Sequence, residues 1–206
     1  MAPEAVAGLF TRSDGSYLFA RWGRPIVPVV FGVDDATLGV VKAAMQAVVA
    51  LAGHEMEEVD AELGANLMMF FCKDWDELRG VLNLERLVPG LDALCDRLVA
   101  DANQYRIFRF DAVGAIKAAF VFLRMDAQLS AVPAETLALS QAVQVIVLWS
   151  DLAFREASPL AMVGDVAVLR PDIAGVIRAG YDLVLPAVAT DASHALRLAA
   201  RAGTAR

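Results

Sequence analysis

The chain has 206 residues, of which 58% are hydrophobic, and a formal net charge of −7. This length allows one large domain, or one domain with an appendage, and the apolar content predicts a heavily buried core. The basic residues are scattered and form no stripe interleaved with aromatic residues. This pattern argues against binding to nucleic acid and against docking on an anionic membrane surface.

The mean hydropathy of +0.52 raises the question of a membrane span. The longest uncharged apolar stretch, about Thr136 to Ser150, contains three polar residues and is shorter than the roughly 20 residues that a span needs. We therefore expect no transmembrane segment. The first residues lack a basic region followed by a continuous apolar region, which predicts a cytoplasmic protein, or a periplasmic one if a leader has been removed.

The two cysteines, Cys72 and Cys95, lack the spacing of a metal site and allow one disulfide at most. We expect two buried free thiols. The sequence has no Gly-rich phosphate loop, no CxxC pair and no GxSxG elbow, which argues against the common nucleotide-binding, redox and hydrolase families. We therefore predict no cofactor.

Four runs of the chain have the composition of β-strands. The first, Ile26 to Gly32, contains Pro28, which has no N–H to donate to a sheet and therefore favours an edge position. Asn66 to Lys73 predicts a buried strand. Tyr105 to Phe110 and Ala115 to Leu123 predict the two strands of a hairpin.

Helices are predicted between and after these strands. An acidic N-cap and a terminal glycine predict a helix over residues 36–52, and most of the region from Trp75 to Asn103 is also predicted to be helical. Two further helices are predicted at the C-terminus, over residues 172–181 and 191–202, with a frayed end from Arg197 to Arg206.

Together these elements predict an α+β fold. It contains a twisted mixed sheet of about four to five strands, a backing helix, a long buried helix and a helical C-terminal tail. This order matches the layout of zinc-peptidase-like (zincin-like) domains, although many α+β domains share it. We divide the chain into an N-terminal segment (1–23), a core domain (24–165) and a C-terminal helical extension packed on the core (166–206).

The most informative helix is predicted over Pro133 to Asp151. Apolar residues fill most of its circumference, and its polar residues form one stripe, Ser140, Gln141, Gln144 and Asp151. In zinc-peptidase-like folds a buried helix carries its metal ligands on such a stripe, as two His four residues apart with a Glu beside the first. Amides and a hydroxyl are poor zinc ligands, so we predict a candidate binding groove at this stripe and no catalytic residue.

Two histidines invite a metal-site interpretation. His54 and Glu58 fit the pattern His-Glu-x-x-Glu, but Gly53 ends the preceding helix, so the ligands would not share one helical face. His194 has no partner of obvious spacing, and we expect it on the surface. These residues leave open one alternative, a metal-dependent hydrolase whose ligands come from separated segments, with Asp151 as a further candidate.

Several short motifs occur in a fixed order between Arg21 and about Leu198. They are RWGRPIVPVVFG (Arg21–Gly32), LAGH (Leu51–His54), ANLMMFF (Ala65–Phe71), RLVPG (Arg86–Gly90), FVFLRMD (Phe120–Asp126) and IAGVIRAGYD (Ile173–Asp182). With these motifs the chain resembles a proteobacterial family of unknown function, several of whose members are described as candidate lipoproteins. The family's distinctive helix carries paired acidic residues followed by a Gln and is similar to the metal-binding helix of zinc peptidases.

In this chain Ser140 and Gln141 stand where that family has its two acids. The resemblance therefore implies a zincin-like scaffold whose acidic helix motif is degenerate. We predict a non-catalytic binding or protein-interaction domain with a protein or peptide partner. The apolar tail helices, which look exposed in the sequence, also allow a homodimer.

Overall fold

The computed structural model describes residues 1–204. Its strands are β1 (Phe19–Ala20), β2 (Pro28–Phe31), β3 (Leu67–Cys72), β4 (Gln104–Phe110), β5 (Ile116–Arg124), β6 (Leu160–Val163), β7 (Val166–Leu169) and β8 (Val188–Ala189). Its helices are α1 (Pro3–Gly8), α2 (Asp35–Ala52), α3 (Asp76–Arg79), α4 (Leu84–Leu87), α5 (Leu91–Asp101), α6 (Ala127–Ser130), α7 (Ala134–Ile146), α8 (Pro171–Gly180) and α9 (Ser193–Thr204). The predicted α+β class is confirmed.

The centre of the fold is a four-stranded mixed sheet in the order β2–β3–β5–β4. Strands β2, β3 and β5 are parallel, and β4 runs antiparallel to β5, which confirms the predicted hairpin. Pro28 lies in an edge strand, as expected of a residue without an N–H donor. The other edge strand is β4.

Both faces of this sheet are covered, since side chains alternate across each strand. Met69 and Val121 point into a core formed with α2, α7 and α8. Phe70 and Phe122 point into a second core formed with α3, α4 and α5. Cys72 and Cys95 both belong to the second core and are buried free thiols, as predicted. β5 is therefore apolar along nearly its whole length.

Helix α2 begins one residue before the predicted start and ends at the predicted residue. The Asp34 carboxylate accepts a hydrogen bond from the Thr37 amide (2.8 Å), which satisfies one of the free N–H groups at the helix start. At the other end Gly53 adopts a left-handed conformation with φ 66°.

Among the described residues, α2 is the one helix long and apolar enough to cross a membrane by length and composition, with a mean hydropathy of 1.4 over 18 residues, 28% of them buried. A core helix of a soluble protein can have the same length and composition. Helix α2 packs against α7, with Val41, Met45 and Val48 in the core. This is weak evidence for a span, and the expected absence of a transmembrane segment stays a prediction.

Helix α7 is shorter than predicted, because it ends at Ile146 and not at Asp151. Val147 is extended and forms a bridge with Arg21, and the Leu148 amide donates to the Ala20 carbonyl (2.9 Å). The chain therefore exchanges helical bonds for bonds to the segment around β1. A β-branched run, Val145 to Val147, lowers the helix propensity at this point.

Three side chains satisfy the last carbonyl groups of α7, which lack partners within the helix. Trp149 Nε1 donates to the Val143 carbonyl (2.7 Å) and Trp22 Nε1 to the Val145 carbonyl (2.8 Å). The Tyr181 hydroxyl donates to the Ile146 carbonyl (2.7 Å). Aromatic side chains outside the helix thus provide donors to carbonyl groups that would be costly to bury without partners.

The two ends of the chain pack together. α1 contacts α9, and β1 pairs with β8. We had expected the apolar residues of the tail helices to be exposed. This expectation was wrong for α8, because its residues Ile173, Val176 and Ile177 are fully buried. The β6–β7 hairpin was not among the strands predicted from the sequence. Residues 205 and 206 of the predicted frayed end lie outside the described residues.

Candidate functional site

A cavity of about 750 Å³ lies between edge strand β4 and the segment that follows α7. This volume is within the range of small-molecule and peptide sites. The residues that line the cavity come from β4, from the turn between α1 and β1, and from the end of α7 with its following segment. They are Gln104–Phe108 and Phe110, Arg12–Asp14, Gln144, Leu148–Asp151, and Ala153–Arg155.

The free edge of β4 forms one side of this cavity. The Arg124 amide donates to the Asn103 carbonyl (2.8 Å), so the residues at odd positions of β4 direct their backbone groups toward β5. The backbone N–H and C=O groups of Gln104, Arg106 and Phe108 consequently face away from β5. In the described part of the chain no other strand pairs with them. An open row of donors and acceptors is a template for a further strand.

The predicted polar stripe is divided by the structure. Gln144 lines the cavity, and its side-chain amide donates to the Ser140 hydroxyl (2.9 Å). Gln141 is buried, with 1% of its surface exposed, and it bonds to side chains of β4. Asp151 does not belong to the stripe, because α7 ends before it. The interpretation of a stripe of four residues was therefore wrong at its last member.

Asp151 nevertheless borders the same cavity from the following turn. Its carboxylate accepts a hydrogen bond from the Ser13 amide (3.0 Å) and lies 3.8 Å from the Arg155 guanidinium. The hydrogen bond from Ser13 lowers the pKa of Asp151 below its usual value. Asp151 thus ties together two walls of the cavity and is not held as a base.

The most unusual group in the cavity is the guanidinium of Arg106. Its Nη2 donates to the side-chain oxygens of Gln104 (3.0 Å) and Gln141 (2.5 Å). Its Nε is buried and has no hydrogen-bond partner among the described residues. No carboxylate of these residues lies within ion-pair distance of Arg106, and burial lowers its pKa to about 10.

Aromatic residues of the segment after α7 form an apolar part of the cavity lining. Trp149 stacks on Phe10 (5.3 Å between centroids) and contacts the edge of Phe154 (5.0 Å). Phe154 has a positive φ of 64°, which is strained for a residue with a side chain. The cavity therefore combines one buried cation with an apolar wall and an open strand edge.

His54, Glu58 and His194 are not brought together. His54 Nε2 bonds to the Arg24 carbonyl (2.9 Å), and its ring packs on Tyr181. Glu58 is exposed. Within residues 1–204 no group of three His, Cys, Asp or Glu side chains is arranged to hold a metal ion.

The expectation that His194 lies on the surface was wrong, because its side chain has 0% exposure. Its Nδ1 is 3.0 Å from the Tyr17 hydroxyl, its ring packs on Phe19, and its Nε2 has no hydrogen-bond partner within the described part of the chain. Burial is the main cause that lowers the pKa of His194 to about 4, and the charge of Arg197 adds to it. The position near the start of a helix suggested exposure, but α9 packs on α1.

Arg106 was not among the site residues predicted from the sequence. The available signal was its place in QYRIFRF, where alternation puts its side chain on the same face of the strand as those of Gln104 and Phe108. Alternation alone could not show that this face packs against α7. Comparisons with protein-family models, with curated proteins and with solved structures gave no match.

Proposed function

We propose that this protein is a non-catalytic binding protein that holds an extended peptide segment of a partner protein along the free edge of β4. The observation that carries this proposal is the row of outward backbone groups of Gln104, Arg106 and Phe108 beside a cavity of about 750 Å³. Strand addition of this kind draws its affinity from main-chain hydrogen bonds and its specificity from alternate side chains.

The shape of the site favours a single extended segment over a second copy of the whole chain. The cavity is walled by residues 12–14 on one side and 148–155 on another, so the edge of β4 lies in a groove. The sheet edge of another copy carries its own covering helices, and we expect these to meet residues 12–14 and 148–155 before that edge reaches β4. A peptide needs only the width of one strand, about 4.8 Å.

The proposal includes a zincin-like scaffold without its metal ligands. Ser140 and Gln144 are four residues apart on α7, with Gln141 beside the first, which is the spacing of a His-Glu-x-x-His motif. Gln144 and Ser140 bond to each other, and Gln141 is occupied by Arg106. These contacts support a helix in which hydrogen bonding has replaced metal binding.

Selection of displayed linear heptapeptides on the immobilised full chain tests the proposal. Synthetic versions of the enriched peptides are then titrated against the chain by fluorescence anisotropy. We expect one family of peptides with alternating preferred residues, as pairing with a strand requires. A selection that enriches no common pattern would contradict the proposal.

A pair of variants separates main-chain pairing from side-chain contact. Phe108→Pro removes the outward N–H, and Phe108→Ala removes the ring but keeps that N–H. Proline is tolerated at an edge position whose N–H points away from the sheet, so both variants should fold. We expect Phe108→Pro to bind the selected peptide about tenfold more weakly than Phe108→Ala does. Equal affinities would mean that the edge of β4 is not used.

A further inference from the structure

We propose that Arg106 is a carboxylate-recognition site, and that it selects peptides with an Asp or Glu side chain opposite it in the added strand. This inference rests on the proposed function, because it assigns the chemical class of the bound segment. It depends on three observations, namely the free hydrogen-bonding capacity of Arg106, the charges around it, and its place on β4.

The guanidinium of Arg106 has N–H donors that make no hydrogen bond with the described residues. An arginine carries five N–H donors. In Arg106, Nη2 is bonded to Gln104 and Gln141, and Nη1 makes no hydrogen bond with any described residue. The two glutamine oxygens fix the plane of the group without neutralising it. A buried cation held in this way gains most from an anion, because charge-assisted bonds to a carboxylate are shorter and stronger than bonds to amides.

The charges near the site leave this role open. Asp14 and Asp151 border the cavity, but the Asp14 carboxylate accepts bonds from Ser16, and that of Asp151 is bonded to Ser13. Arg12 and Arg155 also line the cavity, and Arg155 lies 3.8 Å from Asp151. The cavity lining therefore includes three arginines and two aspartates that already have partners, in a chain with a net charge of −7. This local excess of positive charge favours an acidic ligand over a second copy of this acidic chain.

The place of Arg106 on β4 sets the position of the acid within the peptide. The backbone groups of Arg106 face outward, and its side chain shares a face with Gln104 and Phe108. A residue paired directly across from Arg106 in an added strand would direct its side chain to the same face, within about 5.5 Å between Cβ atoms. Phe108, two residues from Arg106 on the same face, and Leu148 also line the cavity, and they favour an apolar residue two positions from the acid.

The test repeats the heptapeptide selection on three chains, the wild type, Arg106→Gln and Arg109→Gln. Arg109 is the matched control, because it lies on the same strand but on the opposite face and does not line the cavity. We expect wild type and Arg109→Gln to enrich Asp or Glu at one position, and Arg106→Gln to enrich peptides without that preference. Arg106→Gln should also bind the acidic peptide about 10- to 100-fold more weakly than the wild type.

A second arm uses 3-phenylpropionate and its neutral amide, observed through the NMR signal of the Arg106 Nε–H. The carboxylate should shift this signal and the amide should not. A shift without any enriched peptide supports the carboxylate site but overturns the proposed peptide function. Enriched peptides with no acidic preference overturn the carboxylate site and leave the peptide function standing. Equal loss of binding in Arg106→Gln and Arg109→Gln would also overturn the carboxylate site. Thermal melting of each variant checks that the chain is folded.

Discussion

The buried His194 makes a specific prediction about the pH dependence of stability. In the folded chain the imidazole is fully buried, and its Nε2 has no hydrogen-bond partner. Protonation would place a charge there without a counter-ion, next to the cation Arg197, which is why the pKa of His194 is lowered to about 4. The unfolded chain instead binds this proton below the ordinary histidine pKa of about 6.5.

The sign and size of the effect follow from linkage. Because the unfolded state binds the proton more readily, stability is fully present above about pH 6.5 and is lost as the pH falls toward the folded pKa of about 4. The complete loss is about 3 kcal/mol, and about 2 kcal/mol of it falls between pH 7 and pH 5. The pKa of His54 is also lowered by burial and acts in the same direction, so the effect of His194 must be measured by difference.

The assay is urea unfolding followed by tryptophan fluorescence at about pH 7 and about pH 5, for wild type and His194→Asn. Asparagine places an amide near the position of Nδ1, beside the Tyr17 hydroxyl, and does not titrate. His194→Asn is expected to be less stable at neutral pH, but it should lose about 2 kcal/mol less than the wild type on acidification. An equal loss in both proteins would refute the argument, because it would mean that His194 does not remain neutral in the folded chain.

Three further predictions concern the network between α7 and the rest of the fold. Arg106→Met should change the free energy of unfolding by less than about 2 kcal/mol, because removal of a buried charge without a counter-ion offsets the loss of a donor to the buried Gln141 oxygen; a loss above about 3 kcal/mol in urea unfolding would assign Arg106 a structural role. Gln141→Leu should cost about 2 kcal/mol in the wild type but much less in Arg106→Met, a difference that a double-mutant cycle measures; equal costs would contradict coupling. Tyr181→Phe should cost about 1–2 kcal/mol by the same assay, because it leaves the buried Ile146 carbonyl without a donor, and an unchanged stability would contradict this account of the helix end.

Much of the fold followed from local signals in the sequence. Helix α2 carries its own start and end signals in Asp34 and Gly53, and Pro28 marks an edge strand. The two runs of β-strand composition, Tyr105 to Phe110 and Ala115 to Leu123, indicated the hairpin. These elements were predictable because the deciding interactions lie within a few residues of one another.

The elements that were mispredicted depend on distant partners. α7 ends at Ile146 because Trp22 and Tyr181, far away in sequence, bond to its last carbonyls, and no glycine or proline signals this end. His194 is buried because its ring packs on Tyr17 and Phe19, far away in sequence. The cavity at β4 likewise depends on how α7 and residues 148–155 lie against the sheet. Helical periodicity identifies the polar residues of α7, but it cannot show that Gln141 accepts a hydrogen bond from Arg106 of a distant strand.

The central claim is that the free edge of β4 pairs with an extended peptide, and amide hydrogen exchange tests it most directly. The exchange of the outward amides of Gln104, Arg106 and Phe108 is compared with and without the peptide enriched in the selection. The account predicts that these three amides slow by at least about tenfold, while the amides of Tyr105 and Ile107, which already bond to β5, change little. Unchanged exchange at the three outward amides, in the presence of saturating peptide, would contradict it.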